Sequence, residues 1–305
     1  MKIDQIHIGV HPINWVGEDV LEHGDHYTAD DILRDVNRLG LKGVEMGRKF
    51  PTEPEELRRL LARYDVRLVS QWTSVLLSDL SCRDRELAKY RERALYLKEM
   101  GCEVISTAEI GGSLHWDPRR SENEKEVQRL NDRQWKVFAE GLNLAGEICR
   151  ELGMKLVYHH HAGTVVERPE EIDRLMEMTD PELVFLLYDT GHAYYGGNDP
   201  LELLKKHIKR VGYVHLKDIR LPILEEARKH HWDFKTCIRN GVFTVPGTGG
   251  LEFRGILQTL LEHPYSGWAM LEGEQDPAKY NPYEYARRAL DYILGLVNDI
   301  KGGLA

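Results

Sequence analysis

Short apolar runs alternate with stretches of helical periodicity along the whole chain, and this alternation limits the possible folds more than any other feature. The run LVFLLYDTGH (Leu183–His192) is representative, since six apolar or aromatic residues lead directly into Asp189. A run of this kind predicts a strand that is buried on both faces and ends at a loop. The polar residues that follow it are then expected at the carboxyl end of a parallel strand, where α/β folds carry their chemistry.

Eight such runs are predicted, and each is followed by a predicted helix. The strands are Ile6–Val10, Gly43–Met46, Val66–Trp72, Cys102–Thr107, Lys155–His160, Leu183–Asp189, Val211–Asp218 and Trp268–Glu272. The helices are Thr28–Leu39, Glu53–Tyr64, Asp84–Met100, Gln128–Leu152, Pro169–Met178, Pro200–Lys206, Phe253–Leu261 and Tyr283–Ile300. This count predicts an α/β fold of the (β/α)₈ TIM-barrel type. A doubly wound sheet is disfavoured because the turn after the first strand, GVHPINW, lacks a GxGxxG pattern.

The chain is expected to form a single domain over residues 1–305. No low-complexity tract or linker divides it, and an irregular insertion is predicted after the seventh strand, at about residues 219–250. Hydrophobic residues make up 42% of the chain and charged residues 30%, which is typical of a globular protein with an ample core. The four cysteines lack the CxxC spacing of a disulfide framework or a zinc ribbon.

The charge of the chain argues against nucleic acid as a partner. With 41 Lys and Arg against 50 Asp and Glu, the net charge is −9, so no basic surface for a phosphate backbone is expected. No apolar run approaches the roughly 18 residues of a membrane span, and the start MKIDQIHIGV lacks the regions of a signal peptide. We therefore expect a cytoplasmic enzyme with no membrane partner. A homo-oligomeric state is compatible with this sequence.

Residue types that bind metals end four neighbouring strands, from the fifth to the eighth. They are His159 and His161, Asp189, His215, and Glu272. Two carboxylates and two imidazoles favour a divalent transition metal such as Mn²⁺, Co²⁺, Fe²⁺ or Zn²⁺ over the all-oxygen site that Mg²⁺ prefers. A single strand-end histidine is more often structural, but four adjacent strands that end in this way favour a metal site.

Further polar and aromatic residues at the predicted strand ends are candidates for substrate binding. They are His11, Asn14, Trp15, Trp72, Glu109 and Glu274. The two tryptophans, together with Trp116, are interpreted either as core residues or as walls for a sugar-sized ring. The glycine-rich run Val245–Gly250 (VPGTGG) is predicted to be a turn, because it lacks the adjoining Lys and Ser or Thr of a phosphate cradle.

Several of these strand ends carry the motifs of a known family. The motifs are GVHPINW, KGVEMG, VYHHHAGT, YDTGHAYYGG, VGYVHLKDIR, FTVPGTGG and MLEGEQD, and they span nearly the full chain. On these motifs the chain resembles the xylose isomerase-like barrel superfamily of sugar-phosphate isomerases, epimerases and dehydratases. Within that superfamily it is most similar to the inosose dehydratases.

The resemblance implies a metal site that contains Asp189, His215 and Glu272. His159 stands where most of the superfamily has an acid, so either His159 or His161 is expected to complete the site. The implied cofactor is a divalent metal, with Mn²⁺ or Co²⁺ expected first and Fe²⁺, Zn²⁺ or Mg²⁺ as alternatives.

The activity implied by the resemblance is the loss of water from scyllo-inosose, a cyclic keto-polyol, to give trihydroxycyclohexane-1,2-dione in inositol catabolism. This chemistry removes a proton beside the ketone and expels the β-hydroxyl, so it needs a base and an acid. Lys217, at a polar substrate-facing position in the relatives, or Glu45 is predicted to be the base. His192, which contacts substrate in the relatives, or His161 is predicted to be the acid.

A keto-sugar isomerase or epimerase of the same superfamily is the alternative function. It uses a cyclic or linear keto-sugar and needs two opposed acid–base residues, for which Glu109 and Glu272 are candidates. A metal-dependent endonuclease is disfavoured because the chain is acidic. A non-catalytic barrel is disfavoured because the metal-binding residue types are intact.

Overall fold

The computed structural model describes residues 1–114, 116–120, 124, 126–263 and 265–302. Its strands are β1 (Lys2–Ile3), β2 (Ile6–Val10), β3 (Gly43–Val44), β4 (Arg67–Leu68), β5 (Trp72–Val75), β6 (Val104–Glu109), β7 (Lys155–His159), β8 (Val184–Asp189), β9 (Val211–Ile219), β10 (Phe243–Thr244) and β11 (Gly267–Glu272). Its α-helices are α1 (Ala29–Arg38), α2 (Pro54–Arg63), α3 (Arg83–Glu99), α4 (Asp132–Glu151), α5 (Pro169–Met178), α6 (Thr190–Tyr195), α7 (Pro200–His207), α8 (Leu221–Lys229), α9 (Phe234–Asn240), α10 (Arg254–Glu262) and α11 (Pro282–Gly302).

A continuous parallel sheet forms the centre of the molecule. Its strand order is β4-β3-β2-β11-β9-β8-β7-β6-β5, while β1 and β10 pair antiparallel with β2 and β9. The two strands at the ends of this path, β4 and β5, are consecutive in the chain, so the sheet closes on itself as a barrel. The predicted (β/α)₈ barrel is confirmed, with β4 and β5 sharing the third of its eight positions.

The third barrel strand differs from the prediction of one continuous strand over 66–72. Its first half stays with β3, since Val69 N donates to Val44 O at 2.9 Å. Its second half, β5, pairs with β6. Ser70 lies between the two halves, and its Oγ accepts a hydrogen bond from Ser106 N at 3.1 Å. The third barrel strand therefore pairs with β3 through its first half and with β6 through its second half.

The segment 219–250, predicted to be irregular, instead carries α8, α9 and β10. Local sequence signals account for α9: Asp233 caps its first turn by accepting from Thr236 N at 2.8 Å, and Gly241 ends it in the left-handed region at φ 76°. β10 then pairs with the end of β9. The insertion therefore forms two helices and a short strand beside the seventh barrel strand.

The predicted outer helices are present with ends shifted by a few residues, and α6 is an additional helix that the sequence did not predict. Thr28 caps α1, and its side chain and that of Asp31 form a reciprocal capping box. None of the described helices is long and apolar enough to span a membrane.

Apolar side chains fill the barrel interior near the amino ends of the strands. We call this group the plug; it comprises Val69, Val104, Val157, Leu187, Tyr213, Trp268 and Met270, all buried. A packed interior is what a barrel of eight strands requires. The polar strand ends beyond the plug therefore form the floor of a cavity and not the wall of a channel.

Gly146 and Gly295 both lie inside helices, and their surroundings predict opposite effects of substitution. A Cβ at Gly146 in α4 would lie 2.6 Å from the carbonyl oxygen of Leu183, so Gly146→Ala is expected to lower the free energy of unfolding by about 1–3 kcal/mol. A Cβ at Gly295 in α11 would meet no described atom within 4 Å, so Gly295→Ala is expected to raise it by about 0.5–1 kcal/mol. Urea denaturation of both variants measures the changes, and shifts of the same sign and size would contradict this packing.

Candidate active site

The four candidate metal ligands form one inward-facing layer directly beyond the plug. Side chains alternate along a strand, so a residue two positions after a plug residue also points into the barrel. The plug residues Val157, Leu187, Tyr213 and Met270 are each followed at that spacing by His159, Asp189, His215 and Glu272, respectively. The fold therefore brings together the four residues that were predicted from the sequence as metal ligands.

Polar atoms of these four side chains approach one another closely. Asp189 Oδ2 lies 3.6 Å from His159 Nε2 and 3.5 Å from His215 Nδ1. Glu272 Oε2 lies 2.7 Å from His215 Nδ1. One ligand atom from each of His159, Asp189 and His215 can be chosen so that all lie within 4.8 Å of one another. Spacings of about 3–3.5 Å are what ligands adopt around one ion bound at 2.0–2.2 Å.

The same atoms make no hydrogen bond of good geometry to any described residue, although His215 Nδ1 and Glu272 Oε2 form a close ion-pair contact. They are Asp189 Oδ2, His215 Nδ1, Glu272 Oε2 and both ring nitrogens of His159, and all are buried. A buried polar atom without a partner costs about 1–3 kcal/mol. A divalent cation bound between these atoms would satisfy several of them at once, so the residues present fit a metal.

The charges of the cluster favour a cation at its centre. Burial lowers the pKa of His215, but the charges of Glu45 and Glu272 outweigh burial, so the pKa lies well above its ordinary value. Burial also lowers the pKa of His159, which keeps its imidazole neutral, the form that binds metals.

Glu45 holds the side of the His215 ring that faces away from the cluster. Its Oε1 accepts from His215 Nε2 at 2.6 Å and from the Tyr213 hydroxyl at 2.9 Å, and its Oε2 lies 3.8 Å from His11 Nε2. Because Nε2 donates to this carboxylate, Nδ1 is the nitrogen that would bind a cation in the cluster, once a cation replaces its proton. Glu45, a candidate for the base, is thus already engaged in orienting a candidate ligand.

Asp189 divides its two oxygens between the fold and the cluster. Oδ1 accepts from His192 N at 2.8 Å and caps α6, while Oδ2 faces the cluster. Gly191, next in the DTGH motif, allows this helix to pass close to Lys217, because a Cβ there would lie 2.7 Å from Lys217 Cγ. The motif therefore fixes both the carboxylate and the helix behind it.

Lys217 is buried among acidic groups and does not line the cavity. Its Nζ lies 3.0 Å from Glu272 Oε1, 2.8 Å from Glu274 Oε2 and 3.0 Å from His192 Nε2. Burial lowers the pKa of Lys217, but the two glutamates outweigh it and the pKa lies above its ordinary value. The ammonium is therefore charged, which disfavours the predicted role as base. Burial raises the pKa of Glu274 to about 8, although Lys217 opposes this shift.

His161 lines the cavity and His192 lies behind it, with ring centroids 3.6 Å apart. His161 Nδ1 lies 2.9 Å from the carbonyl oxygen of Ala162, which only accepts, so the proton is on Nδ1 and Nε2 carries the lone pair. His192 Nδ1 accepts from Ala162 N at 3.3 Å. Burial lowers the pKa of both histidines well below the ordinary value.

A cavity of about 470 Å³ opens over the cluster. The predicted site residues that line it are His11, Glu45, Trp72, His159, His161, His215, Glu272 and Glu274. Asp189, His192 and Lys217 lie directly behind that lining. Trp72 packs edge-on against His159, with ring centroids 5.3 Å apart, which supports the interpretation of this tryptophan as a wall.

Asn14 and Trp15 do not reach the cavity. Asn14 joins the first and last barrel strands: its Nδ2 donates to Leu271 O at 3.2 Å, and its Oδ1 accepts from Gly273 N at 2.6 Å. Trp15 is buried in the core, and its Nε1 donates to Asp35 Oδ2 at 3.0 Å. Their contacts are structural, and this placement does not support substrate binding.

Glu109 also lies outside the cavity lining. Its Oε2 accepts from Leu77 N at 2.7 Å and Ser78 N at 3.2 Å, while its Oε1 accepts from Ser78 Oγ at 3.0 Å and Gly111 N at 2.9 Å. Both oxygens are therefore used to fix the loops after β5 and β6. The side chain is not positioned to serve as a substrate ligand.

The glycine-rich turn wraps around a carboxylate of the protein itself. Gly247 N and Gly249 N donate to Asp218 Oδ2 at 3.1 and 2.9 Å. A Cβ at Gly249 would lie 2.4 Å from Asp218 Oδ1, so only glycine fits there. The amides of this loop are thus occupied, in agreement with its prediction as a turn.

Glu18 and Asp19 line the cavity and were not singled out in the sequence. They lie in the loop after β2, where no periodicity or motif marks a side chain as inward-facing. The only sequence signal is a pair of acids four residues after the GVHPIN segment, which is a weak one.

Comparison with known proteins identifies the family of this chain and several similar proteins. A family model described as the xylose isomerase-like TIM barrel matches residues 33–295. The chain is 51% identical over 298 residues to an inosose dehydratase of Geobacillus kaustophilus, covering 98% of this chain and 97% of that protein. It is 41% identical over 290 residues to an inosose dehydratase of Clostridium tetani, covering 95% and 97%. The solved structure of the IOLI protein with a binding zinc atom has the same fold, with a TM-score of 0.67 at 14% identity and coverage of 96% and 97%.

The contacts of Glu109 predict a structural effect of its substitution. In Glu109→Gln, the amide group would face backbone N–H donors, so the free energy of unfolding is expected to fall by about 2–3 kcal/mol. Glu140→Gln is the matched control, because Glu140 is an exposed glutamate bonded to Arg83 at 3.1 Å, and a loss below about 1 kcal/mol is expected there. Thermal or urea unfolding measures both, and equal losses would contradict the structural role of Glu109.

Proposed function

This chain belongs to the inosose dehydratase family of xylose isomerase-like TIM barrels, and we propose that it is a metal-dependent hydro-lyase acting on inosose. In the specific form of the proposal, scyllo-inosose loses water to give trihydroxycyclohexane-1,2-dione, as a step of inositol catabolism in the cytoplasm. The family relationship supports the reaction, since relatives of this name match over nearly the full length of both chains.

The observation that carries the proposal is the convergence of unpartnered ligand atoms on the floor of the cavity. They come from four adjacent strands and include both carboxylate and imidazole groups. The cavity of about 470 Å³ has the size of a small-molecule site, which is usually about 300–1,000 Å³. These features favour a single polyol ring bound beside a cation.

His159, Asp189, His215 and Glu272 are the residues proposed to hold the metal. Their mixture of nitrogen and oxygen donors supports Mn²⁺ or Co²⁺ as the ion, with Fe²⁺, Zn²⁺ and Mg²⁺ as alternatives. The IOLI protein, which has this fold, was solved with a binding zinc atom, and this supports the proposal that the present chain also binds a metal. When bound, such an ion acts as a Lewis acid toward the ketone oxygen of a substrate.

His161 and Glu274 are the groups best placed to move protons. Nε2 of His161 carries a lone pair and the ring lines the cavity, so we assign it to remove the proton from the carbon beside the ketone. Glu274 also lines the cavity, and its buried Oε1 has no hydrogen-bond partner among the described residues. We assign it to donate a proton to the β-hydroxyl, which leaves as water as its C–O bond breaks and the C=C bond forms.

Lys217 and Glu45 take supporting roles in this scheme and do not serve as the base. The Lys217 ammonium, 2.8 Å from Glu274 Oε2, holds that carboxyl group in position. Glu45 orients His215 through the 2.6 Å hydrogen bond to its Nε2. Both roles keep a reactive group in a fixed geometry.

The alternative function, a keto-sugar isomerase or epimerase, has less support. It requires two opposed acid–base residues, and Glu109 was one of the two candidates. The oxygens of Glu109 are bonded to loop amides outside the cavity lining, so that pair does not face a common substrate. An assay that compares water loss from inosose with epimerisation of ketohexoses distinguishes the two functions.

Asp189→Asn tests the metal site and the activity together. Asparagine preserves the cap of α6 but removes the charge from the cluster, so bound Mn²⁺ and the formation of dione from scyllo-inosose are both expected to fall at least about tenfold. Metal per chain after dialysis and the absorbance of the dione measure these effects. Asp199→Asn is the matched control, because Asp199 caps α7 through Leu201 N at 2.9 Å but lies outside the cluster.

If Asp189→Asn keeps wild-type metal content and activity, the proposed site is wrong. If the wild-type protein binds metal but leaves scyllo-inosose unchanged and epimerises a ketohexose, the alternative function replaces the dehydratase.

Glu274→Gln tests the assignment of the acid. Glutamine cannot donate the proton, so kcat is expected to fall by about 10²–10⁴-fold, while metal content remains that of the wild type because Glu274 is not a proposed ligand. Steady-state kinetics with scyllo-inosose and metal analysis provide the two readouts. An unchanged kcat would remove Glu274 from the mechanism.

A further inference from the structure

The loop after β2 is held in a fixed position at the cavity. Arg48 lies under it and donates from Nε to Gly17 O at 2.8 Å and from a terminal nitrogen to Leu21 O at 2.8 Å. The backbone N of Arg48 donates in turn to Glu18 Oε1 at 3.0 Å. Side chains between these anchors, including Asp19, are therefore preorganised and do not depend on substrate for their position.

Asp19 connects this loop to the loop after β6. Its Oδ1 accepts from the indole Nε1 of Trp116 at 2.9 Å. The Trp116 ring packs edge-on against His161, with ring centroids 5.1 Å apart, and against Phe234 of α9 at 5.6 Å. Trp116 and Trp72 lie at 6.3 Å with an interplanar angle of 44°. The Asp19 carboxylate thus fixes an indole that borders His161, the proposed base.

The second oxygen of Asp19 remains available for a ligand. Asp19 lines the cavity and is half-buried, and its Oδ2 makes no hydrogen bond within the described part of the chain. A carboxylate offers about four acceptor positions, of which Trp116 uses one. Burial raises the pKa of Asp19, which reflects the incomplete solvation of this group. Glu274 supplies to the same cavity a second carboxyl oxygen that has no hydrogen-bond partner among the described residues.

An apolar wall beside hydrogen-bond acceptors is the surface that a polyhydroxylated ring requires. The C–H face of such a ring packs on an aromatic side chain, while its hydroxyl groups donate to carboxylates. A dehydratase acting on inosose uses the ketone and one hydroxyl in the reaction, and the remaining hydroxyls are free to orient the ring. Contacts to such non-reacting groups determine which face of the ring meets the base.

We propose that Asp19 binds a non-reacting hydroxyl of the cyclic polyol and that, through Trp116, it forms the wall that selects a polyhydroxylated ring. Asp19 is thus a substrate-binding and specificity residue, distinct from the metal ligands and from the acid–base pair. This inference rests on the proposed function and extends it to the part of the substrate that does not react.

Three variants separate the contact with substrate from the positioning of Trp116. Asp19→Ala removes both, and KM for scyllo-inosose is expected to rise by roughly 10- to 100-fold with kcat within about threefold of wild type. Asp19→Asn keeps an acceptor for the indole but replaces the second oxygen by a donor, so a smaller rise in KM is expected. Trp116→Phe keeps an aromatic ring at this position and removes the N–H, and its KM is expected to remain below that of Asp19→Ala.

Discrimination between polyols that differ by one hydroxyl group is a second readout. A purely structural role of Asp19 would leave this discrimination unchanged. The inhibition constant of a monodeoxy-inositol divided by that of scyllo-inositol is expected to fall toward one in Asp19→Ala. The hydroxyl that the deoxy compound lacks would no longer have the Asp19 carboxylate as its partner in this variant. Glu22→Ala is the matched control: it lies in the same loop but turns outward to Arg239 at 3.1 Å, and wild-type KM and discrimination are expected.

Failure of this inference can be distinguished from failure of the proposed function. If the wild type dehydrates scyllo-inosose and Asp19→Ala keeps its KM and its discrimination, the role of Asp19 is overturned. If Trp116→Phe reproduces the full effect of Asp19→Ala, direct binding by Asp19 is overturned. If the wild type does not dehydrate inosose, the proposed function fails, and calorimetric titration of scyllo-inositol into Mn²⁺-loaded wild type and Asp19→Ala decides whether Asp19 binds polyols.

Discussion

Buried negative charge at the mouth of the barrel is the constraint on which the rest of the site depends. Carboxylates taken out of water are costly unless positive charge and hydrogen bonds compensate them. Lys217 lies 3.0 Å from Glu272 and 2.8 Å from Glu274, and Glu45 is compensated by His215 and by the Tyr213 hydroxyl. Asp189 Oδ2 and Glu272 Oε2 still lack a hydrogen-bond partner within the described residues. A divalent cation would supply the missing positive charge, and the residues around the cluster are arranged to hold its ligands.

The layer of candidate ligands could be predicted because two simple periodicities determine it. Apolar runs gave the strands, and the two-residue alternation within each strand determines which polar residue points inward. Each candidate ligand lies two residues after a plug residue of the same strand; the four are His159, Asp189, His215 and Glu272. Neighbouring parallel strands in a barrel end at the same mouth, so their proximity followed from the fold class.

Residues beyond the predicted strands could not be placed from sequence. Trp15 and Glu109 also lie near predicted strand ends, but Trp15 turns toward Asp35 of α1 and Glu109 toward the loop amides of Leu77 and Gly111. These contacts depend on rotamers and on elements distant in the chain, which periodicity does not encode. Asp19 was missed for the same reason, since its position depends on Arg48 and on Trp116, 97 residues further along the chain.

The central claim is that one cation is bound by four strand-end side chains, with His215 directed by Glu45. Anomalous diffraction at the manganese edge from crystals of the Mn²⁺-loaded protein tests it most directly. One peak is expected about 2.0–2.2 Å from Asp189 Oδ2, Glu272 Oε2, His215 Nδ1 and a ring nitrogen of His159. A peak elsewhere in the barrel, or coordination through His215 Nε2 with Glu45 displaced, would contradict it.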